Sequence, residues 1–202
     1  MATLIVCYFI LGGDEVDVSI DIADAKIETD RLILRAWQET DLDDFFEYAS
    51  VEGVGEMAGW EHHDSIDVSH GILMSFISKK NEFSIVLKES NKVIGSLGLH
   101  DSWANDEIDY EHLIMKEIGY VLSKDYWGQG LTPEAVKAII DHCFVVYRLE
   151  ALTSGHSLSN SQSKRVLEKC GFKYVKTRGH ISESTGFHYH GMKYILFKPK
   201  EE

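Results

Sequence analysis

One stretch, KEIGYVLSKDYWGQGLTPEAVKAIIDHCFVVY (residues 116–147), leaves the chain few folds to choose from. It opens as a strand, Lys116 to Ser123, apolar enough to lie in the middle of a sheet. It closes with Ala135, Ile139, Ile140, Cys143 and Phe144 at helical spacing, which reads as a helix with one buried face. Between the two stand Gly128 and Gly130, which lack a Cβ that would keep a ligand from the backbone. Thr132 then suits an N-cap, and Pro133 suits the first helical position, where a missing N–H costs nothing. Free amides and the positive end of a helix dipole would face one place, which makes an anion site suited to a phosphate.

The rest of the chain supplies strands and helices to either side. RLILRAW (31–37) alternates as a strand does, and TDLDDFFEYAS opens on Thr40 as an N-cap with acids in the first turn of a helix. SIDVSHGILMSFISKK (65–80) reads as a second helix with Val68, Ile72, Phe76 and Ile77 on one face. FSIVLK and KVIGSLGLH form a hairpin, and RLEALTSGH is strand-like. SQSKRVLEKCGF is a short helix with Val166, Leu167 and Cys170 inward and Gly171 as its stop. FKYVKTR and HYHGMKYILFK are two further strands, antiparallel neighbours. The order β-α-α-β-β-β-α-β-α-β-β predicts an α/β (α+β) fold, a mixed sheet with helices packed against it, as one domain over residues 26–202. Residues 1–25 read as an extension that pairs with the domain or with a second subunit. Within it, LIVCYFIL (4–11) has no basic segment before it and is too short to span a bilayer. VDVSIDI then sets Val16, Val18, Ile20 and Ile22 against Asp17, Ser19 and Asp21, the period of a half-buried strand. A cleaved signal is the alternative reading.

Net charge of −13 argues against nucleic acid as the main partner, because phosphate contacts need clustered Lys and Arg. It leaves open simple solubility or an acidic cleft that attracts a cation. Cys7, Cys143 and Cys170 form no C-x-x-C pair, and the two later ones sit in apolar helical patterns, as core thiols in a reducing cytoplasm would. The glycine loop is not a P-loop, since no G-x-x-x-x-G-K-[ST] occurs. Nor is it a dinucleotide fingerprint, because Pro133 takes the third glycine position and the loop comes late in the chain.

Four stretches in order, ETDRLILRAWQETD, KVIGSLGL, EIGYVLSKDYWGQGLTPEAV and NSQSKRVLEKCGF, resemble the GNAT acyltransferases, which use acetyl-coenzyme A. The nearest branch looks like the RimJ/RimL-type ribosomal-protein N-terminal acetyltransferases, and the resemblance covers about residues 27–199. It implies a GNAT-like, mostly antiparallel central sheet with helices on both faces. It implies that Trp127, Gly128, Gln129, Gly130, Leu131 and Thr132 hold the pyrophosphate of coenzyme A. It further implies that the strand Tyr120–Val121–Leu122 splays from its neighbour to pair with pantetheine, and that Asn160 touches the pantetheine arm. One position departs from the wider family: Asp125 stands where a glutamine or arginine often precedes the first glycine.

Acetyl transfer needs a neutral amine and a proton for the departing thiolate. The resemblance implies direct transfer from thioester to amine, without an acyl-enzyme on Cys143 or Cys170. Many members carry a proton-donating Tyr seven residues after the Asn; here that position is Leu167. In the RimL-like branch a Ser three residues after the Asn serves instead, and Ser163 occupies that place. Capping its helix or bonding the cofactor is the other reading of Ser163. Glu117, at the start of the central strand, is the candidate base, with a solvated strand end as the alternative. GWEHHDS (59–65) falls where the family builds its acceptor wall, so Trp60, Glu61 and His62, or His63, are the substrate-side candidates, against an ordinary exposed loop. His188 and His190 share a strand face without a third ligand, and no metal is expected. The expected activity is acetyl-coenzyme A-dependent N-acetylation of a primary amine, most of all a protein N-terminal α-amine. The alternatives are a small amine, amino acid or antibiotic, a non-catalytic acyl-coenzyme A-binding module, and a nucleotide-binding enzyme. A homodimer through the N-terminal strand is possible, and no membrane partner is expected.

Overall fold

The computed structural model describes residues 18–181 and 188–200. In chain order the elements are β1 (Lys26–Glu28), β2 (Leu32–Ala36), α1 (Leu42–Ala49), α2 (Gly55–Ala58), α3 (Ile66–Lys79), β3 (Glu82–Leu87), β4 (Lys92–His100), β5 (Met115–Leu122), α4 (Leu131–Val145), β6 (Ala151–Ser157), α5 (Ser161–Lys169), β7 (Lys173–Ile181) and β8 (His188–Phe197). They build a sheet in the order β1-β2-β3-β4-β5-β6-β8-β7. Every neighbouring pair is antiparallel except β5 and β6.

Side chains alternate across the strands and so feed a core on each face of the sheet, while Met115, Ala151 and Ile195 join a smaller cluster with Trp103 and Ala104. Leu32, Leu34, Ile85, Ile94, Ile118 and Leu122 point to one face, where they pack with Val136, Ile139 and Cys143 of α4 and Leu167 of α5. Ile33, Val86, Val93 and Val121 point to the other, where Trp37, Phe45, Tyr48 and Leu73 bring in α1 and α3. The expected mixed sheet with helices on both faces is therefore what forms. Among the described residues no helix is long and apolar enough to cross a membrane.

Four local expectations change. Thr40 does not cap α1. A 3-10 turn, Glu39–Asp41, precedes that helix, and the buried Asp41 accepts the Gln38 N–H at 2.9 Å while pairing with Arg35 at 2.7 and 2.8 Å. The inward residues of α3 are Ser69 and Leu73, whereas Val68 is exposed, and Ile72 and Phe76 are only partly covered. Residues 18–25 form no strand, yet their alternation tracks burial: Ile20 and Ile22 enter the main core, and the Ile22 N–H bonds the Lys80 carbonyl at 3.0 Å. The core thus reaches into the segment read as an extension. The fourth change, at the start of α4, belongs to the site. The apolar stretch 4–11, Cys7, Val16 and Asp17 lie outside the described residues, as does the loop 182–187 beside His188.

Candidate active site

β5 and β6 pair only through Met115↔Ala151, Lys116↔Leu152 and Glu117↔Thr153. The strands then part. The Ser154 hydroxyl takes the Ile118 carbonyl at 2.8 Å, and Trp127 Nε1 donates to the Leu122 carbonyl at 2.7 Å. Between these two bonds the β6-facing backbone of Tyr120 has no strand beside it, so its N–H and C=O are open to a ligand. The splay expected at Tyr120–Leu122 is present.

The loop after β5 is built by its glycines. Gly128 and Gly130 both have φ of +76°, the left-handed region that a side chain enters at a cost of roughly 1–2 kcal/mol. Gly130 is itself the N-cap, and α4 begins at Leu131, so Thr132 and Pro133 sit two positions deeper in the helix than expected. The physical reason is that the left-handed Gly130 already turns the chain into the helix, which leaves Thr132 no end to cap. The Leu131 and Thr132 amides remain at the helix start without intrahelical acceptors. Beyond Gly128 a Cβ would meet nothing within 4 Å, so the loop faces open space.

That space is a cavity of about 310 Å³. Tyr120, Val121, Leu122, Trp127, Gly128, Gly130, Leu131, Thr132, Asn160 and Ser163 all line it. Gln129 does not. Its side chain donates to the Asp125 carbonyl at 3.0 Å, and its own carbonyl accepts from Arg31 at 3.0 Å. Arg165 and Lys169, one turn apart on α5, reach the same cavity. They bring the cationic side chains that Asp125 cannot.

Asn160 caps α5 by accepting the Ser163 N–H at 2.9 Å, and its Nδ2 donates to the Met57 carbonyl at 3.1 Å. The cap is therefore Asn160, and the Ser163 hydroxyl is free for other work. It lies 2.7 Å from the Tyr120 hydroxyl. Burial pushes the Tyr120 phenol well above its usual range, with Ser163 pulling the other way, so the phenol keeps its proton. A phenolic hydroxyl thus stands beside Ser163, supplied by β5. Sequence reading took Tyr120 for its backbone alone; the clue was a tyrosine on the strand that splays.

A second cavity of about 850 Å³ lies against the Glu117–Gly119–Val121 side of β5. The two cavities share Met57, Ala58, Tyr120, Val121, Asn160 and Ser163, and so meet at the gap between the strands. Trp60, Glu61, His62 and His63 all line the larger one. Val68, Ile72 and Phe76 do too, which explains why the apolar stripe of α3 is not its buried stripe. His63 is a core histidine: its Nδ1 lies 2.7 Å from the Ser69 hydroxyl, its ring packs on Phe45, and burial lowers its pKa. His62 sits 2.8 Å from Glu56, which raises its pKa. Burial pushes the Glu56 carboxyl up, but hydrogen bonds from His62 and the Gly53 N–H outweigh it and hold the group down at about 2. Glu117 opens into the same cavity, with Lys193 Nζ at 3.4 Å and the Trp103 N–H at 3.3 Å.

Cys143 and Cys170 are buried, and burial pushes their thiols up to about 12 and about 11. Neither offers a thiolate near neutrality. Among the described residues no group of three or more His, Cys, Asp or Glu could hold a metal ion.

Sequence reading missed Arg31 altogether. Its guanidinium binds Glu134 of α4 at 2.6 and 2.7 Å as well as the Gln129 carbonyl, so it ties the β1–β2 turn to the glycine loop. The signal was the TDRL of the first strand motif, whose basic residue had no assigned work.

With this geometry in place, known proteins are informative. The uncharacterized N-acetyltransferase YoaA of Bacillus subtilis is 26% identical over 180 residues, 87% of this chain and 98% of that protein. A solved structure from Vibrio cholerae, provisionally assigned as a ribosomal-protein-serine acetyltransferase, superposes with a TM-score of 0.72 at 18% identity, covering 87% of this chain and 99% of the other. Spermidine N-acetyltransferase from Vibrio cholerae, solved with CoA and spermine, gives 0.66 at 16% identity, covering 84% and 96%. At such identities the two structures speak for the fold alone, and they carry different acceptors on it. Residues 31–173, most of the chain, match the family described as the acetyltransferase (GNAT) domain, and the protein belongs to that family of N-acetyltransferases.

Proposed function

We propose that this protein moves an acetyl group from acetyl-coenzyme A directly to a primary amine, with a protein or peptide N-terminal α-amine as the leading acceptor. The observation that carries this is the meeting of two cavities at the edge of β5, one at the glycine loop and one at the acidic wall. The smaller fits the donor. The Leu131 and Thr132 amides at the start of α4 suit a pyrophosphate, Arg165 and Lys169 add charge, and the open Tyr120 backbone suits the amides of pantetheine. The thioester then falls beside Ser163. Ser163 donates a hydrogen bond to the departing thiolate, and Tyr120 orients it by donating to Oγ. On the amine side, Glu117 receives the ammonium, with Trp60 and His62 lining the same cavity. The buried free thiols Cys143 and Cys170 suit a reducing cytoplasm as the compartment.

A small cationic amine is the second reading, favoured by Glu56, Glu61, Asp64, Glu82 and Glu117 around the larger cavity. One experiment separates these readings. The purified protein is mixed with acetyl-coenzyme A and, in turn, peptides with free Ser, Ala or Met amino termini, spermidine and free amino acids. Thiol release is followed, and products are checked by mass for one added acetyl group. Transfer to a peptide N-terminus is the expected result. Binding of acetyl-coenzyme A without transfer to any amine would make the protein an acyl-coenzyme A-binding module and overturn the proposal.

A further inference from the structure

The acceptor cavity holds one ionisable pair with no role so far. His100 ends β4, in register with Glu117 on β5, and both line the cavity. Its Nε2 lies 3.0 Å from Oε1 of Glu82, which starts β3 and is only 8% exposed. The sheet makes room for this pair. A Cβ at Gly98 would run into both the Glu82 carboxylate and the His100 ring, and one at Gly119 would only touch the same ring. A buried carboxylate needs a partner, and here the imidazole supplies it. Glu82 favours the proton on Nε2. Nδ1, which has no hydrogen-bond partner among the described residues, is then the nitrogen with the lone pair.

We propose that His100, oriented by Glu82, is the catalytic base that takes the proton from the acceptor amine; this rests on the acetyltransferase reading above. The ammonium N–H bond breaks and its electron pair stays on nitrogen as the nucleophile. The proton bonds Nδ1, and the imidazolium pairs with the Glu82 carboxylate until water in the cavity removes the proton. Glu117 is already shared with Lys193 and the Trp103 N–H, and it holds the ammonium in reach. The charged neighbours suit this division of work. The contact with Glu82 from β3 raises the basicity of His100 against the opposing effect of burial, and Glu117 from β5 and Asp101 next in the chain add to it. Lys193 from β8 is the facing cation, and across the cavity Glu56 and His62 satisfy each other. A histidine above its ordinary value of about 6.5 is closer to an α-amine at about 8, so the transfer is less uphill.

The test compares wild type with His100→Gln, Glu82→Gln and Glu117→Gln. The acceptors are a peptide with a free Ser amino terminus, spermidine, and aniline, which is already neutral at pH 7. His100→Gln is expected to bind acetyl-coenzyme A as wild type does in calorimetry. It should lose about 10²-fold in kcat toward the aliphatic amines, lose the acid limb of the pH–rate profile, and lose little toward aniline. Glu82→Gln should move that limb to lower pH, because the base then titrates lower. An unchanged kcat and intact limb in His100→Gln overturns the assignment, as does loss of the limb in Glu117→Gln alone. If His100→Gln loses acetyl-coenzyme A binding through misfolding, the limb shift in Glu82→Gln decides: a shift supports the dyad and no shift overturns it. A wild type that acetylates none of the three acceptors takes down the parent reading and this one together.

Discussion

At the scale of single residues, two hydroxyls and one loop glycine border the gap in the sheet. If Ser163 supplies a hydrogen bond only when the thiolate develops, Ser163→Ala should lower kcat by about 10²-fold and leave acetyl-coenzyme A affinity nearly unchanged. Tyr120→Phe removes the partner that orients that hydroxyl at 2.7 Å and should cost less, about tenfold. The double variant should be no worse than Ser163→Ala, because both act through one hydrogen bond. Additive losses would show that Tyr120 acts independently. At Gly128 a side chain meets both the positive φ and the mouth of the donor cavity. Gly128→Glu, which also sets a carboxylate against phosphate, should weaken acetyl-coenzyme A binding by tenfold or more in calorimetry, and unchanged affinity would move the donor elsewhere. Gly128, Asn160 and Ser163 could be nominated from sequence because their signals are local and their spacing fixed. His100 with Glu82, 18 residues apart, and Arg31 with Glu134, 103 apart, gave no such signal, since only the closed sheet brings them together.

At the scale of elements, sequence periodicity predicted β3 to β8 and the helices α4 and α5 because strands and helices here follow their apolar faces closely. It failed where an apolar face has a job other than packing. The stripe Val68, Ile72 and Phe76 of α3 faces the cavity, and an amphipathic pattern looks the same whether the apolar side meets a core or a cavity wall. The start of α4 was misplaced because a left-handed glycine, which no side-chain preference reports, does the capping. The brace between the β1–β2 turn and α4 gives a prediction at this scale. Arg31 is about half exposed, so its ion pair with Glu134 should add little to overall stability. Its contact with the Gln129 carbonyl nevertheless braces the loop proposed to hold the donor. Arg31→Ala should therefore raise the Kd for acetyl-coenzyme A several-fold while Tm moves by only a degree or two. A large fall in Tm with intact affinity would make the brace structural.

At the scale of the whole molecule, the titrating groups set how the fold responds to acid. His62 and His100 have folded pKa values raised by Glu56 and Glu82, so each stabilises the fold below the unfolded value of about 6.5 and loses that contribution as pH rises through the folded value. His63 and His142 have theirs lowered by burial, so each costs stability as pH falls below about 6.5. The first pair acts above about 6.5 and the second below it, so together they place a shallow stability maximum near that pH. The carboxylates act at lower pH. Glu56 is held at about 2, and Glu107 and Glu134 are lowered as well. Their contribution is fully present above the usual carboxylate value of about 4.3 and drains away as pH falls toward 2. Tm should accordingly peak near pH 6.5, fall gently to either side, and drop steeply below about 4.5. Glu56→Gln should make the low-pH drop shallower, and the same variant should lower the pKa of His62 in an NMR titration, because the two groups support one another. A Tm that stays level from pH 6.5 down to 5 would mean that His63 and His142 take up protons in the fold as easily as outside it, and that burial does not hold them neutral.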